Sequence, residues 1–526
     1  MNSIFKLYPN SGTHSSQGDG MELYKAIFDK SSNADTALNL TIRELVQNSL
    51  DPIDENDDID KTKVLITLRK LTYDFIDISS LKEQINNCIE EVKQIKPDDY
   101  MSDKTFKSLI NISKKITSDP FQSHTLIIED ESGGLTGKSR SEKELGLAAL
   151  VDSARSTKSK GGGSHGVGKT TAFNLSSLNC VFYLNQHKNQ KKFIGKLIAS
   201  TYKDNVDPRI NHGPEYFFGE PQQINDLVFS DYGLADNINP KLKTLKGDGL
   251  STIIPVDDIK NPVEWKDRVV FSVISNYYNN FLQNNLEVEV IDEIKNTKTI
   301  INEKSIKDVL IALESKEFLR EEYLDDYHHY HLIKNQILNF DNPCEKIEFK
   351  IEFEEQKCKK YNSECIIKFY KNDELDNIAE NKDCKNYMRQ NFRLLRKNTL
   401  IRSHYLPGGP KRATSLSSYA YSGVITFKGD INKIIRDLET QSHDTLDLEN
   451  LSYEPDYPNI QAFKKKVFTR INKEIVNAVD KLSGNDFEEG EEFDIQFDSP
   501  FGENSENNSP TYKRKLFDDD DFKRLL

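Results

Sequence analysis

The chain of 526 residues lacks several features that define common protein classes. No stretch approaches the run of about 18 apolar residues that a membrane span requires, so we expect no transmembrane helix and no membrane partner. Residues 1–20 lack the apolar core of a signal peptide, so secretion has no support. The six cysteines form no CxxC pair. We therefore expect reduced thiols in a cytoplasmic protein.

Basic residues are in the minority, but the imbalance is uneven. Lys and Arg total 71 against 85 Asp and Glu, a formal net charge of -14, which argues against indiscriminate nucleic-acid binding. Residues 486–526 hold 13 acidic and 5 basic side chains, so more than half of the net charge lies in this tail. The tail has few aliphatic residues, and we expect it to be disordered. It either keeps the protein soluble or docks on a partner through its phenylalanines.

The rest of the chain has the composition of a folded protein. A hydrophobic share of 36 % and an aromatic share of 10 % suffice for packed cores. The hydrophobic pattern predicts helices and short strands up to residue 255, with a helical insertion over about residues 75–120. Residues 346–353 alternate strictly between apolar and polar side chains, which predicts a half-buried strand.

The first motif that carries chemistry is the helical segment ELVQNSLD, from Glu44 to Asp51. At about 100° per residue, Glu44, Asn48 and Asp51 share one stripe of the helix, opposite an apolar stripe. Carboxylate and amide oxygens without a neighbouring cation suit Mg²⁺ binding and the activation of water. An ordinary amphipathic helix gives the same pattern, so this motif alone decides nothing.

The second motif follows a predicted strand and reads Asp130-Glu-Ser-Gly133-Gly134. A carboxylate at a strand end, followed by two glycines, can face a flat ligand that the backbone approaches closely. A plain turn built from Asp and Gly is the alternative interpretation.

The third motif is a glycine-rich segment, GGGSHGVGKTT, from Gly161 to Thr171. Residues 163–170 match the pattern of a P-loop. A P-loop follows directly on a buried strand, whereas residues 153–160 are polar and basic, so the P-loop interpretation lacks its structural context. Backbone N–H groups of a glycine loop that opens a helix still attract phosphates. Lys169 lies in the segment, and two more lysines, Lys158 and Lys160, come just before it.

Together and in this order, the three motifs and a later Thr-Ile-Ile strand resemble the GHKL ATPase superfamily. Its members include gyrase B, the large heat-shock chaperones, sensor histidine kinases, MutL and the Microrchidia ATPases. The resemblance covers about residues 21–255 and is closest in build to Microrchidia-like bacterial ATPases. It implies a Bergerat-type α/β sandwich, with helices over one face of a mixed sheet, and ATP and Mg²⁺ as ligands.

The resemblance also implies roles for individual residues. Glu44 would be the general base that activates the attacking water, and Asn48 would ligate Mg²⁺. Asp51 would support the nucleotide site. Asp130 would bind the adenine amino group, and Gly134 would let the base approach. The lid and its phosphate contacts would come from seven residues, Lys158, Gly163, Gly166, Val167, Gly168, Lys169 and Thr170.

Three further positions bear on the resemblance. Thr252 stands where the family places a threonine near the adenine carboxylate. Ser132 stands where many members have a glycine, so the local geometry of this turn is expected to differ. Lys169 follows the lid where several members have an aromatic residue, and it either contacts a phosphate or is solvated.

Residues 256–485 stand where gyrase-like and MutL-like proteins carry a second α/β domain, the transducer. A segment of it from Lys385 to Arg412 has eight basic residues and no acid. Three interpretations stay open for this segment. It supplies the cation that senses the γ-phosphate, with Lys397 or Arg396 as candidates; it binds nucleic-acid phosphates; or it is a solvated basic face beside the acidic tail.

A histidine cluster, His328, His329 and His331, lies in the same half of the chain. On a strand, residues 329 and 331 would share one face and could bind a metal. A polar connector with surface histidines is the preferred interpretation, because no cysteine or spaced histidine completes four ligands.

The sequence therefore predicts four regions: an N-terminal arm (1–20), a GHKL ATP-binding domain (21–255), a transducer-like domain (256–485) and an acidic tail (486–526). We expect a cytoplasmic, Mg²⁺-dependent ATPase that acts as an ATP-gated switch or homodimer clamp. A composition rich in Lys, Asn, Ile and Asp resembles that of AT-rich bacterial genomes. By analogy, it suggests phage defence or restriction with a protein partner encoded nearby. The alternatives are a nucleotide-gated adaptor or nucleic-acid-binding module without significant hydrolysis, and a P-loop NTPase.

Overall fold

The structure is a computed structural model that divides into two compact units, Met1–Tyr323 and Leu324–Leu526. Its description covers residues 5–12, 34–50, 61–95, 101, 103–116, 121–135, 168–188, 190–207, 209–219, 230–231, 242, 245–256, 264–320, 324–343, 345–355, 359–371, 390–396, 398–405, 421–438 and 460–483. The acidic tail and residues 13–33 lie outside these ranges.

The first unit alternates helices and strands along the chain. Its described helices are α1 (Ala34–Leu50), α2 (Ile78–Ile95), α3 (Lys104–Lys115), α4 (Gly168–Leu175), α5 (Trp265–Leu282) and α6 (Ile306–Leu313), with a 3-10 turn at Glu317–Leu319. Its described strands are β1 (Lys6–Gly12), β2 (Thr62–Thr72), β3 (Gln122–Asp130), β4 (Cys180–His187), β5 (Gln190–Ile198), β6 (Tyr202–Lys203), β7 (Asn211–Gly219), β8 (Ser230–Asp231), β9 (Gly249–Val256), β10 (Leu286–Asp292) and β11 (Thr297–Ile301). The predicted helical insertion is therefore present as α2 and α3.

These strands form one mixed sheet in the order β1-β7-β5-β4-β9-β3-β2-β10-β11, with β6 beside β7 and β8 beside β5. Strands β2 and β10 pair in parallel, and the other described pairs are antiparallel. The predicted α/β class with a mixed sheet is confirmed. The unit extends beyond the boundary that we predicted after residue 255, because β10 and β11 continue its sheet past β2.

Helices cover both faces of this sheet. On β3, Ile127 joins the large core that contains Phe106, Leu109 and Ile112 of α3. Side chains alternate along a strand, so Asp130 points to the opposite face, where it meets α1. The prediction of helices over one face therefore needs correction. The insertion buries an apolar stripe of its own, and that stripe covers the second face.

The insertion helices form for reasons that are visible in the sequence. In α3 the apolar residues recur at helical spacing, and the three buried ones line one side. The side chain of Asp103 accepts a hydrogen bond from the backbone N–H of Phe106 at 3.0 Å and caps the helix.

The second unit has its own sheet and core. Its described helices are α7 (Leu324–Leu338), α8 (Ile431–Leu438) and α9 (Ile460–Ser483). Its strands β12 (Glu345–Glu355), β13 (Lys359–Lys371), β14 (Gln390–Arg396), β15 (Thr399–Tyr405) and β16 (Tyr421–Gly429) follow the order β12-β13-β16-β14-β15. Strands β14 and β16 are parallel and the other neighbours antiparallel. Helices α8 and α9 pack on one face of this sheet.

Three further expectations concern membrane-spanning helices, the cysteine thiols and the histidine cluster. Among the described residues, no helix is long and apolar enough to cross a membrane. The three cysteines in the described ranges, Cys88, Cys180 and Cys365, are free and buried. His329 and His331 lie in helix α7, so they do not share a strand face. No group of three or more His, Cys, Asp or Glu in the described part of the chain is arranged to hold a metal ion.

Candidate functional site

Helix α1 carries two of the predicted site residues, Glu44 and Asn48. Residues 41–47 are buried, and Glu44 is only 4 % exposed, whereas Asn48 is exposed. The expected amphipathic pattern is therefore incomplete, because α4 and α5 pack against α1. The hydroxyl of Tyr277 in α5 donates to the carbonyl of Arg43. The carboxylate of Glu44 therefore lies in the protein interior, where the dielectric constant is low, whereas the side-chain amide of Asn48 is open to solvent.

Asp130 ends β3 and receives four hydrogen bonds on its carboxylate. Its Oδ2 accepts from the hydroxyl of Ser49 in α1 at 2.9 Å. Its Oδ1 accepts from the backbone N–H of Ser132 at 3.2 Å, from the Ser132 hydroxyl at 2.7 Å and from the backbone N–H of Leu250 at 3.1 Å. These donors compensate a carboxylate that is only 8 % exposed. One oxygen is thus crowded, while the other has a single partner among the described residues.

The N-terminal half of α1 contacts the end of the glycine-rich segment. The hydroxyl of Thr41 lies within hydrogen-bond distance of two carbonyl oxygens, Ala37 at 2.8 Å and Thr171 at 3.0 Å. Thr171 belongs to α4, which begins at Gly168. Helix α1 therefore contacts the third motif near its beginning and the second motif near its end. Glu44 lies between Thr41 and Ser49.

The two glycines after Asp130 have different roles. Both adopt left-handed backbone conformations, with φ of 95° at Gly133 and 69° at Gly134. A Cβ on Gly134 would lie 2.0 Å from the carbonyl oxygen of Gln186, whereas no atom of the described residues lies within 4 Å of a Cβ on Gly133. We predicted that Gly134 lets a base approach. In the fold, Gly134 is needed for packing against β4, and the open side is at Gly133.

Strand β9 meets Asp130 through Leu250 rather than Thr252. Thr252 is buried and pairs with Ile128 on β3 and with Tyr183 on β4. It lies two residues further along β9 than the N–H that binds Asp130. Because it pairs with Ile128, Thr252 lies on the same face of the sheet as Asp130. In the described residues, the hydroxyls that contact this carboxylate are those of Ser49 and Ser132.

Several predicted site residues lie outside the described residues. They are Asp51, Lys158, Gly163, Gly166, Val167 and Lys397. Gly168, Lys169 and Thr170 form the first turn of α4, and their side chains are outside the description. A helix that begins at this point directs backbone N–H groups toward the glycine-rich segment, which suits an anion.

The basic segment from Lys385 to Arg412 is described only in part. Two of its arginines lie on β14, and both are buried. Arg393 is fully buried, and Arg396 is 7 % exposed. Because a buried guanidinium cannot meet a phosphate in solvent, these two residues do not contribute to a surface for nucleic acid. Both arginines therefore belong to the packed interior of the second unit.

The sequence missed Ser49 and Thr41. Ser49 lies on the apolar side of α1, where a serine next to Asn48 is a signal of its own. A buried hydroxyl needs a partner, and that of Ser49 lies 2.9 Å from both the carboxylate of Asp130 and the carbonyl of Leu45 one helical turn earlier. Thr41 gave no comparable signal, since its partner is a backbone carbonyl 130 residues away.

No protein-family model and no curated protein matches the chain. The functional interpretation therefore depends on the motifs and on the contacts that connect them.

Proposed function

We propose that the chain is a Mg²⁺-dependent ATPase of the GHKL type, in which nucleotide binding gates a conformational change. The observation that carries the proposal is the pair of contacts made by α1. Ser49 binds the carboxylate of Asp130, and Thr41 meets the carbonyl of Thr171. The proposed base site and the proposed phosphate site are thus anchored to one helix, with Glu44 between them.

The geometry at Asp130 supports recognition of an amino group. A carboxylate offers about four lone-pair positions, and Oδ1 already faces three donors. Oδ2 accepts one bond, from Ser49, and keeps capacity for a ligand donor. The exocyclic amino group of adenine is such a donor, and the open side of Gly133 gives a flat base room to approach.

Glu44 and Asn48 suit the reacting end of the nucleotide. Glu44 is buried on the same stripe as Asn48, one helical turn away. A carboxylate in this position can accept a proton from a water that attacks the terminal phosphate. Mg²⁺ keeps several waters and is usually held by one or two protein oxygens together with substrate phosphates. Asn48 alone therefore fits such a site, where the ion would offset phosphate charge.

The proposed lid is the glycine-rich segment that leads into α4. Binding of phosphates at the start of α4 would favour one conformation of this segment, and hydrolysis would release it. We further propose an ATP-dependent homodimer. Strand β1 lies at the edge of the first sheet and pairs with β7, so it is the element of the arm that could exchange between protomers. A role in phage defence or restriction, with a partner encoded nearby, stays a prediction.

The test compares ATP binding and steady-state hydrolysis in wild type, Glu44→Ala and Asp130→Asn, with the exposed-site variant Glu83→Gln as control. We expect Glu44→Ala to bind ATP without turnover, Asp130→Asn to lose binding, and the control to match wild type. Equal rates of ATP hydrolysis in all four proteins would contradict the proposal.

Two alternatives make different predictions in the same experiment. An adaptor would bind ATP in the wild type without Mg²⁺-dependent turnover. A P-loop NTPase would depend on Lys169 and Thr170 and be indifferent to Asp130. The sheet disfavours the P-loop alternative, because P-loop strands belong to parallel sheets and β3, β4 and β9 are antiparallel to their neighbours.

A further inference from the structure

The turn that follows Asp130 is held by side chains outside the three motifs. We infer that Asn185, His187 and Asp248, here called the turn clamp, are positioning residues that set the affinity of the site for its nucleobase. This inference rests on the proposed function, since it concerns the same site. None of the three residues is placed to touch the chemistry. Asn185 and His187 bind the backbone of Leu135 and Gly133, whereas Asp248 binds Gly133 through its own carbonyl and the end of β4 through its carboxylate.

Asn185 makes the most complete contact of the three. It is 2 % exposed and lies near the end of β4. Its side-chain oxygen accepts from the N–H of Leu135 at 2.8 Å, and its side-chain nitrogen donates to the carbonyl of Leu135 at 2.7 Å. Both backbone groups of Leu135 are thus satisfied by one amide, as a neighbouring strand would satisfy them.

His187 holds the glycine that faces open space. Its Nδ1 lies 2.7 Å from the carbonyl oxygen of Gly133. A carbonyl only accepts, so Nδ1 carries the proton in this contact. Residues 185 and 187 point to the same side of β4. The end of this strand therefore grips the turn at two points.

Asp248, the residue just before β9, contacts the turn from the opposite side. Its carbonyl accepts from the N–H of Gly133 at 3.0 Å. Its carboxylate accepts from the N–H of Lys188 at 2.7 Å and from the side chain of Gln186 at 3.3 Å. These bonds tie the end of β4 to the residues just before β9, with Gly133 bonded to both.

The clamp matters because it holds residues 133 and 135, whereas the N–H of Glu131 bonds to Lys63 of β2. Gly133 and Gly134 are both left-handed, and glycines lose more conformational freedom on ordering than other residues. A turn that is ordered in advance spares a ligand that entropy cost on binding. Loss of the clamp should therefore weaken nucleotide binding and leave the rate of the chemical step unchanged.

The experiment measures dissociation constants for ADP and ATP, together with kcat and KM, in full-length Asn185→Ala and Asp248→Ala. Matched controls are Asn86→Ala and Asp74→Ala, two exposed residues of the same types. We expect about tenfold weaker binding and a higher KM in the clamp variants, with kcat at saturating ATP within twofold of wild type. Backbone amides of residues 131–135 should exchange hydrogen faster in the absence of nucleotide.

Asp248→Asn, which retains one acceptor oxygen, should restore part of the affinity. It also keeps the test decisive if Asn185→Ala does not fold, because Asp248 lies in a half-buried loop position. If wild type binds nucleotide and the clamp variants bind it equally well, the inference is overturned and the proposed function stands. A fall in kcat with unchanged affinity would also overturn it. Wild type that binds no adenine nucleotide would instead overturn the proposed function.

Discussion

At the scale of single residues, Asp130 depends on donors from three separate parts of the chain. Ser49 comes from α1, Ser132 from the turn, and Leu250 from β9. A buried carboxylate without such donors would destabilise the fold. The donors therefore offset the cost of burial and fix the orientation of Asp130. Ser49 matters most for a ligand, because among the described residues it is the donor that binds the less crowded oxygen.

Ser49→Ala tests this role. Loss of a hydrogen bond to a buried charge costs about 1.5–3 kcal/mol, so we expect ATP affinity to fall by about tenfold or more. Isothermal titration calorimetry measures the change, and Ser79→Ala, at an exposed position of α2, is the control. Unchanged affinity in Ser49→Ala would show that the Oδ2 contact does not orient Asp130 for a ligand.

A second residue-scale prediction concerns pH and the turn at residues 204–212. The contact with His212, at 2.8 Å, and the backbone N–H groups of Asp207 and Val206 lower the pKa of Asp204 from 3.8 to about 2. A lowered pKa in the fold means that the charged form stabilises the turn. That contribution is complete above about pH 4 and is lost as the pH falls toward 2.

Carboxyl NMR shifts of Asp204 should therefore titrate with a midpoint near 2 in wild type. In His212→Ala the midpoint should rise toward 3.8, because the largest cause of the shift is removed. An identical midpoint in both proteins would contradict the assignment of the shift to His212.

At the scale of elements, helices α2 and α3 cover the face of the first sheet that lies opposite α1, so the unit has three layers. Their core contacts reach β3, β4, β5 and β7 through residues such as Ile127, Phe182, Phe193 and Phe218. The pattern of α2 and α3 was legible in the sequence because apolar residues recur at helical spacing. The surface that these helices cover could not be predicted, because spacing identifies an apolar stripe on a helix but not the strands against which it packs.

The same limit applies to α1. The helical wheel groups Glu44 with Asn48, but it does not show that Glu44 is buried while Asn48 is exposed. Contacts with α4 and α5 bury Glu44, and a carboxylate on β3 claims Ser49. Neither neighbour is adjacent in sequence, so local periodicity could not supply them.

At the scale of the whole molecule, the two compact units have separate cores. Leu109 of α3 is fully buried in the first core, and Ile435 of α8 is fully buried in the second. Truncation of a buried leucine or isoleucine to alanine costs about 2–5 kcal/mol. Units with separate cores are expected to unfold in separate cooperative transitions.

Differential scanning calorimetry of the full chain should therefore show two transitions. Leu109→Ala should lower the midpoint of one, Ile435→Ala should lower the midpoint of the other, and Asn111→Ala, at an exposed position of α3, should lower neither. A single transition that both truncations shift equally would show that the units unfold as one body.

The sequence by itself determined which residues could carry chemistry, because motif order, glycine placement and hydrophobic periodicity are local properties. It located Glu44, Asn48 and Asp130 on the correct kinds of element, and it predicted the helices of residues 75–120 and the strand at residues 346–353. Only the tertiary structure decided which glycine is open, which strand residue meets Asp130, and that Arg393 is buried. Those outcomes depend on contacts between separate segments of the chain, which alternation and helical spacing along a single segment do not encode.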